Sequence, residues 1–351
     1  MVQDDFVLTT RPLRVIFAPG ATEQVAAELD RLGMSRVLVV TTPRGARQSD
    51  RLLTALDHRA AGLFDGAELH VPVHVARAAE AQARRLEADV LVAAGGGSAI
   101  GVAKAVALEA GLPIVALPTT YSGSEMTNVW GISDEGRKDT GRDDRVAPQV
   151  VIYDPVETLT LPPDTSATSG VNALAHAVEA LYAHDAPPLA GLLAEEAIGV
   201  LARALPRVVE APRSLPDRSE ALYGAHLAGW ALDLATMGLH HKLAHVLGGT
   251  FRLPHALVHA ILLPHVVAFN EPAAPEAMAR IARALGSESA PAGLRRLNRT
   301  VGISATLKEL GLGSEDLDTA SELAVRREYP NPRPVERDGV RRILQRAWEG
   351  R

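Results

Sequence analysis

Short apolar runs rich in Val and Ile alternate with stretches of helical periodicity through the first part of the chain. Leu13 to Phe17 reads as a strand, Ala21 to Leu32 as a helix, and Val37 to Thr41 as a second strand. Asp89 to Ala94 is an apolar run that ends in Gly95-Gly96-Gly97-Ser98 and leads into a helical stretch, Ala99 to Ala110. Pro113 to Leu117 and Val150 to Tyr153 read as further buried strands. Strands alternating with helices predict a parallel sheet covered on both faces.

After about Pro155 the pattern changes. Apolar residues recur with helical spacing from Ser166 onward, as in Leu189 to Leu205, Glu276 to Leu285 and Asp338 to Trp348. Pro162-Pro163, Pro187-Pro188 and the Tyr329 to Pro334 stretch punctuate these helices. The pattern predicts a Rossmann-like α/β nucleotide domain over residues 1–157 and an all-α domain over 158–351.

Composition narrows the function. A chain of 351 residues suits two domains of ordinary size. Apolar residues at 47% and charged residues at 22% give a globular balance. With only 4% aromatics, the core must be built from Ala, Leu and Val. A formal charge of -6 offers no basic face for nucleic acid. Without cysteine, disulfides, thiolate metal sites and a cysteine nucleophile are excluded. The acidic start is a poor signal peptide, and no apolar stretch reads as long enough to span a membrane. The cytoplasm is the expected compartment.

A strand ending in three glycines and a serine, then opening a helix, suits a pyrophosphate. Glycines let the backbone approach closely, and the helix start offers unpaired N–H groups. The same loop is also how an ordinary tight turn is built, and its spacing departs from the usual dinucleotide fingerprint. A second segment, Pro118-Thr119-Thr120-Tyr121-Ser122-Gly123-Ser124-Glu125, follows the next strand, at the sheet edge where ligands of open α/β sheets bind. Gly96, Gly97, Ser98, Thr119, Thr120 and Ser122 are therefore candidate cofactor residues, joined by Thr41 and Pro43 after the second strand and by Lys138. Thr41-Thr42-Pro43-Arg44 lacks the acid that would hold a ribose diol, and Arg44 is either a solvated loop residue or a partner for a 2′-phosphate. NADH and NADPH both stay open.

Six of the 12 histidines, His240, His241, His245, His255, His259 and His265, fall in one short stretch. His176 sits four residues after Asn172, and His245 four after His241, so each pair shares a helix face. A histidine on an apolar helix is usually a hydrogen-bonded core residue. His226, His259 and His265 are read that way, while His240 fits either role.

Gly95-Gly96-Gly97-Ser98, the Pro118 to Glu125 loop, Asn172…His176 and His241…His245…Pro254-His255 resemble the iron-containing alcohol dehydrogenase superfamily. The motifs span both predicted domains. In metal-dependent members an Asp and a His four apart, with two later His, hold the ion. Carried over by position, these fall on Asn172, His176, His241 and His255. A neutral amide is a poor substitute for a carboxylate ligand, and Gly101 stands where metal-dependent relatives commonly carry an acid. With Asn172 to Tyr182, His240-His241-Lys242-Leu243 and Pro330-Asn331-Pro332-Arg333-Pro334, the chain is similar to the metal-independent branch of the superfamily, the maleylacetate reductases.

That resemblance implies reduction of maleylacetate to 3-oxoadipate by NADH or NADPH, in the breakdown of hydroxylated or chlorinated aromatics, with no metal and in a homodimer. For that reaction His245 and His241 are the candidate donors to the enolate oxygen, with His176 and His255 as pocket walls; a small dicarboxylate needs cations, for which Lys242 is the first choice and Arg252 the second, each otherwise a surface side chain on a solvated helix face. Asn172 and Tyr121 complete the expected substrate contacts. Ala244, Arg252 and Asp139 depart from the residues relatives often carry, which bears on the substrate more than on the reaction. Four rivals remain: a metal-dependent alcohol or aldehyde dehydrogenase, since three histidines alone can hold Zn²⁺; a reductase of another unsaturated keto acid in a biosynthetic route; a lyase resembling dehydroquinate synthase; and a non-catalytic nucleotide-binding homologue.

Overall fold

The computed structural model of the protein describes residues 5–134 and 137–351, the side chains of 137 and 138 excepted. The chain forms two compact units, Thr9–Leu161 and Pro162–Arg351, with residues 5–8 grouped with the second.

In the first unit, β1 (Arg14–Phe17), β2 (Val37–Val40), β3 (Ala60–Phe64), β4 (Val90–Gly95), β5 (Ile114–Pro118) and β8 (Val150–Tyr153) make one sheet in the order β1-β8-β5-β4-β2-β3. Every pairing in it is parallel. A parallel sheet is covered on both faces, so its inner strands read as unbroken apolar runs, and every residue of β2, β4, β5 and β8 is buried. The helices of this unit are α1 (Val25–Leu32), α2 (Pro43–Ala46), α3 (Asp50–Leu56), α4 (Val73–Arg85) and α5 (Gly97–Ala110).

Several elements had no counterpart in the sequence reading. The edge strand β3, Ala-Ala-Gly-Leu-Phe, lacks β-branched residues. Its Gly62 is there for closeness, because a Cβ would lie 2.5 Å from Leu86 Cδ1. Helix α4 buries only Val75, Ala76, Ala79 and Ala83, so small residues blur its periodicity. The antiparallel hairpin β6 (Val129–Asp134) and β7 (Arg137–Arg142) alternates too weakly in hydrophobicity to announce itself.

The second unit holds nine helices among the described residues: α6 (Pro163–Ala180), α7 (Pro188–Glu210), α8 (Leu215–Leu234), α9 (Leu239–Thr250), α10 (His255–Asn270), α11 (Pro275–Ala284), α12 (Ala290–Thr300), α13 (Asp316–Val325) and α14 (Arg337–Glu349). Helix α7 runs on past the predicted end at Leu205. Pro206 removes one hydrogen bond at a cost of ~3 kcal/mol, but Val208 beyond it is fully buried and holds the last turn down. Helix α6 is buried on all sides from Ser169 to Ala180, as expected for a central helix. Small residues make that possible: a Cβ on Gly170 would lie 2.2 Å from Leu205 Cδ2 of α7.

One expectation about membranes needs correction. His255–Ala273, α10 with its continuation, has the length and mean hydropathy (1.2) of a spanning helix. It is instead a core helix of this unit, packing Val258, Ile261, Leu262 and Val266 against the α9 side chains Leu243 and Leu247.

Candidate active site

The ends of β2, β4 and β5 lie side by side in the sheet, and their loops are tied together. Thr41 Oγ1 donates to Ala94 O at 2.7 Å, and Thr119 N–H donates to Gly95 O at 3.1 Å. Gly95 has φ 153°, and a Cβ there would lie 2.9 Å from Ala99 Cβ. A Cβ on Gly96 would lie 2.7 Å from Thr120 Oγ1. Gly96 is the N-cap of α5, and no side chain caps that helix. Its first N–H groups are therefore available to an anion. Gly97 is exposed, and Ser98, Thr119, Thr120 and Ser122 are half-buried around it. This set fits the phosphates of a dinucleotide.

Two of the expected contact residues lie inside the scaffold. The hydroxyl of Thr41 is fully buried and engaged with Ala94 O, and Tyr121 is fully buried. Thr42 caps α2 by accepting from Gly45 N–H, with Pro43 exposed at the first helical position. Arg44 donates to Thr160 O at 2.9 Å. The side chain of Lys138 lies outside the described residues.

Two buried charges behind the cradle had no clear sequence signal. Lys104 on α5 is fully buried, and its Nζ donates to Ser124 O (2.7 Å), Thr127 O (2.7 Å), Thr127 Oγ1 (3.0 Å) and Val129 O (2.8 Å). Glu125 accepts from Tyr153 OH at 2.9 Å and Ser122 Oγ at 3.2 Å. Burial pushes the Glu125 carboxyl above its ordinary range, against those hydrogen bonds and the Lys104 ammonium. Together they hold the Thr119–Ser122 loop by its far end.

In the helical unit, α6 presents Asn172, His176 and Glu179, α9 presents His240, His241 and His245, and α10 presents His255 and His259. Six imidazoles form one cluster. Ring centroids lie 5.1 Å apart for His176–His241, 4.9 Å for His241–His259, 4.5 Å for His255–His259 and 6.0 Å for His245–His255. His259, expected to be an ordinary core residue, is buried as such, but its partners are site residues. Its Nδ1 lies 2.8 Å from His240 Nε2, and its Nε2 lies 3.2 Å from His255 Nε2. His265 and His226 are both held at about 4 by burial.

Glu179, named before only inside a motif, organises the cluster. Its Oε2 lies 2.5 Å from His241 Nδ1, and its Oε1 accepts from His240 N–H at 2.9 Å. One carboxylate thus caps the first turn of α9 and orients an imidazole. Burial alone would raise its pKa, but the bond to His241 and the nearby imidazoles bring it below the ordinary value. Room for this comes from Gly238, where a Cβ would lie 2.8 Å from Pro330 O and 3.3 Å from Glu179 Oε1. The Pro330–Pro334 motif is fastened by reciprocal amide bonds between Asn331 and Asn270.

Burial and neighbouring imidazoles push His176 and His259 well below the usual histidine range, and burial lowers His240 to about 3. These three imidazoles are neutral beside the Glu179 carboxylate. Asn172 Oδ1, His176 Nδ1 and His241 Nε2 are buried there without a hydrogen-bond partner. Lys242 is half-buried, its pKa lowered by burial and then by Arg327. Arg252 is exposed on the turn between α9 and α10, with a left-handed φ of 56°.

The sequence pattern of the iron-containing alcohol dehydrogenases matches residues 12–155, and that of the Fe-containing family's C-terminal part matches residues 166–348. The chain belongs to the iron-containing alcohol dehydrogenase family. Within this family it is 50% identical to maleylacetate reductase of Burkholderia cepacia over 98% of each chain. It is 48% identical to maleylacetate reductase of Sphingobium indicum, again over 98% of both. The crystal structure of maleylacetate reductase from Agrobacterium tumefaciens superposes with a TM-score of 0.94 at 44% identity, covering 99% of each chain.

The donor set here lacks the carboxylate that the resemblance places at position 172 in metal-dependent members. Among the described residues, no three His, Asp or Glu side chains stand in a group that could hold a metal ion. Asn172 supplies a neutral oxygen, the Glu179 carboxylate is taken by α9, and His255 Nε2 is turned to His259.

Proposed function

We propose that this chain reduces the conjugated double bond of maleylacetate to give 3-oxoadipate, taking its reducing equivalent from NADH or NADPH and using no metal. The observation that carries the reading is the Glu179–His241 dyad, set among buried imidazoles in a chain half identical to maleylacetate reductases.

Gly96, Gly97, Ser98, Thr119, Thr120 and Ser122 hold the dinucleotide phosphates, and the bound nicotinamide supplies a hydride to the alkene carbon remote from the ketone. The electron pair of the double bond moves through the conjugated system onto the ketone oxygen. His241 and His245 face that oxygen with ring N–H donors, which matter most where charge develops away from water. The Glu179 carboxylate accepts the hydrogen bond of His241 Nδ1–H and balances the charge of the ring when Nε2 is also protonated, so the imidazolium gives its Nε2 proton to substrate and is left neutral. A proton delivered to the carbon next to the ketone completes the reduction. His176, His255 and Asn172 shape the pocket, and Lys242 and Arg252 balance the two carboxylates.

A homodimer working in the cytoplasm belongs to the same reading. The exposed apolar residues Phe6, Val7 and Leu8 support self-association, which light scattering tests. The deciding assay follows NADH and NADPH oxidation with maleylacetate and with simple aldehydes. Turnover of aldehydes but not of maleylacetate would overturn the proposal.

A further inference from the structure

Two consecutive residues between β3 and α4 hold left-handed backbone, His70 at φ 64° and Val71 at φ 52°. A β-branched residue is a true outlier there, because its Cβ crowds the adjoining carbonyl. Such a conformation persists only where the surroundings over-determine it. Here those surroundings are visible. Ser133 of β6 donates twice, from Oγ to His70 O at 2.8 Å and from N–H to Val71 O at 2.9 Å. Pro72 also forms a parallel bridge to Ser133.

The strained turn drives Val71 inward, where it packs with Ala99, Ile100 and Ala103 of α5. A Cβ built on Gly101 would lie 2.7 Å from Val71 Cγ2, closer than side chains tolerate. Gly101 ends the turn of α5 that begins at Gly97, and Thr120 crowds Gly96 at the other end of the same turn. The start of α5 is therefore gripped at both ends by side chains that leave no room for a β-carbon. The bare Gly101, where the resemblance places an acid in metal-dependent relatives, is required by Val71. An acid at 101 and an inward Val71 exclude each other.

We propose that the Ser133–Val71–Gly101 contact is a clamp that positions the first turn of α5 for the cofactor's pyrophosphate, with all three as positioning residues of the reductase. The role in cofactor binding rests on reading Gly96–Ser98 as the nucleotide cradle; the clamp itself does not.

The test uses Gly101→Ala, Val71→Ala, Ser133→Ala and the double variant Val71→Ala/Gly101→Ala in the full-length protein. Titration of NADH by its fluorescence gives Kd, and turnover at saturating NADH gives kcat. Gly101→Ala should raise Kd about tenfold, the factor that ~1.4 kcal/mol represents, with kcat held. The double variant should return to within about twofold of Val71→Ala, beyond what independent sites allow. Wild-type affinity in Gly101→Ala, or a double variant as weak as the single, overturns the proposal. So does a lowered Tm with Kd unchanged, which is what a purely structural contact gives. If the wild type binds neither nucleotide, the reductase reading fails, and hydrogen exchange at residues 97–101 still judges the clamp. Faster exchange in Gly101→Ala, restored in the double variant, supports it; unchanged exchange sinks it.

Discussion

Glu179 and His241 meet at 2.5 Å across the α6–α9 contact, both buried, with the backbone N–H of His240 on the other carboxylate oxygen. A single anion therefore sets where α9 begins and which nitrogen of His241 faces the pocket. Replacing it should separate chemistry from cofactor binding. Glu179→Gln keeps the shape but loses the charge, and kcat should fall ~10–100-fold, as when a histidine loses its orienting partner. Kd for NADH should stay at the wild-type value. Unchanged turnover would remove the dyad from the mechanism.

The neutral imidazoles tie stability to pH. His176, His240 and His259 have folded-state values below the ordinary 6.5. The unfolded chain therefore takes up protons first, and stability is full above 6.5 and lost as pH falls. Each group contributes a slope of about 1.4 kcal/mol per pH unit, continuing towards about 3 for His240. Glu179, also depressed, adds its loss only below its ordinary 4.5. Urea midpoints between pH 7.5 and 5 measure this, and a flat profile would mean the cluster is hydrated.

Exhaustive chelation should leave reductase turnover intact. Activity that disappears and returns with Fe²⁺ or Zn²⁺ would restore the metal-dependent reading. The companion variant Asn172→Asp returns an anion to the buried position whose oxygen has no partner. Calorimetric titration with Zn²⁺ should then show tighter binding than in the wild type; equal affinity would mean that the old ligand positions no longer converge.

Lys242→Met should raise KM for the dicarboxylate roughly 10- to 150-fold, the factor that the ~1.5–3 kcal/mol of a hydrogen bond to a charged group represents. NADH affinity should not move. Arg252→Ala should have a smaller effect, because that side chain is exposed. An unchanged KM in both variants would place the substrate's carboxylates elsewhere.

Much of this was readable from residues alone. The buried strands β4, β5 and β8 announce themselves because a parallel sheet makes them apolar on both faces. The glycine loop and the α6 and α9 histidines were legible because their residue types are rare in such places. What stayed hidden has no local signature. Glu179 looks like any helical acid until α9 is laid against it, and His259 has the sequence context of a core histidine. The Val71–Gly101 contact joins segments thirty residues apart, so Gly101 is visible as a missing acid and not as a packing requirement.

Of the 36 basic residues, only Lys104, Lys138, Lys242 and Lys308 are lysines. At position 104 that choice follows from shape. An ammonium is a compact point with three rotatable donors, matched here to three converging carbonyls, whereas a guanidinium is a flat fork. In a chain so given to arginine, the commonest basic exchange is barred at this one buried spot. Lys104→Arg would keep the charge yet pry apart the turn that carries Ser122 and Glu125.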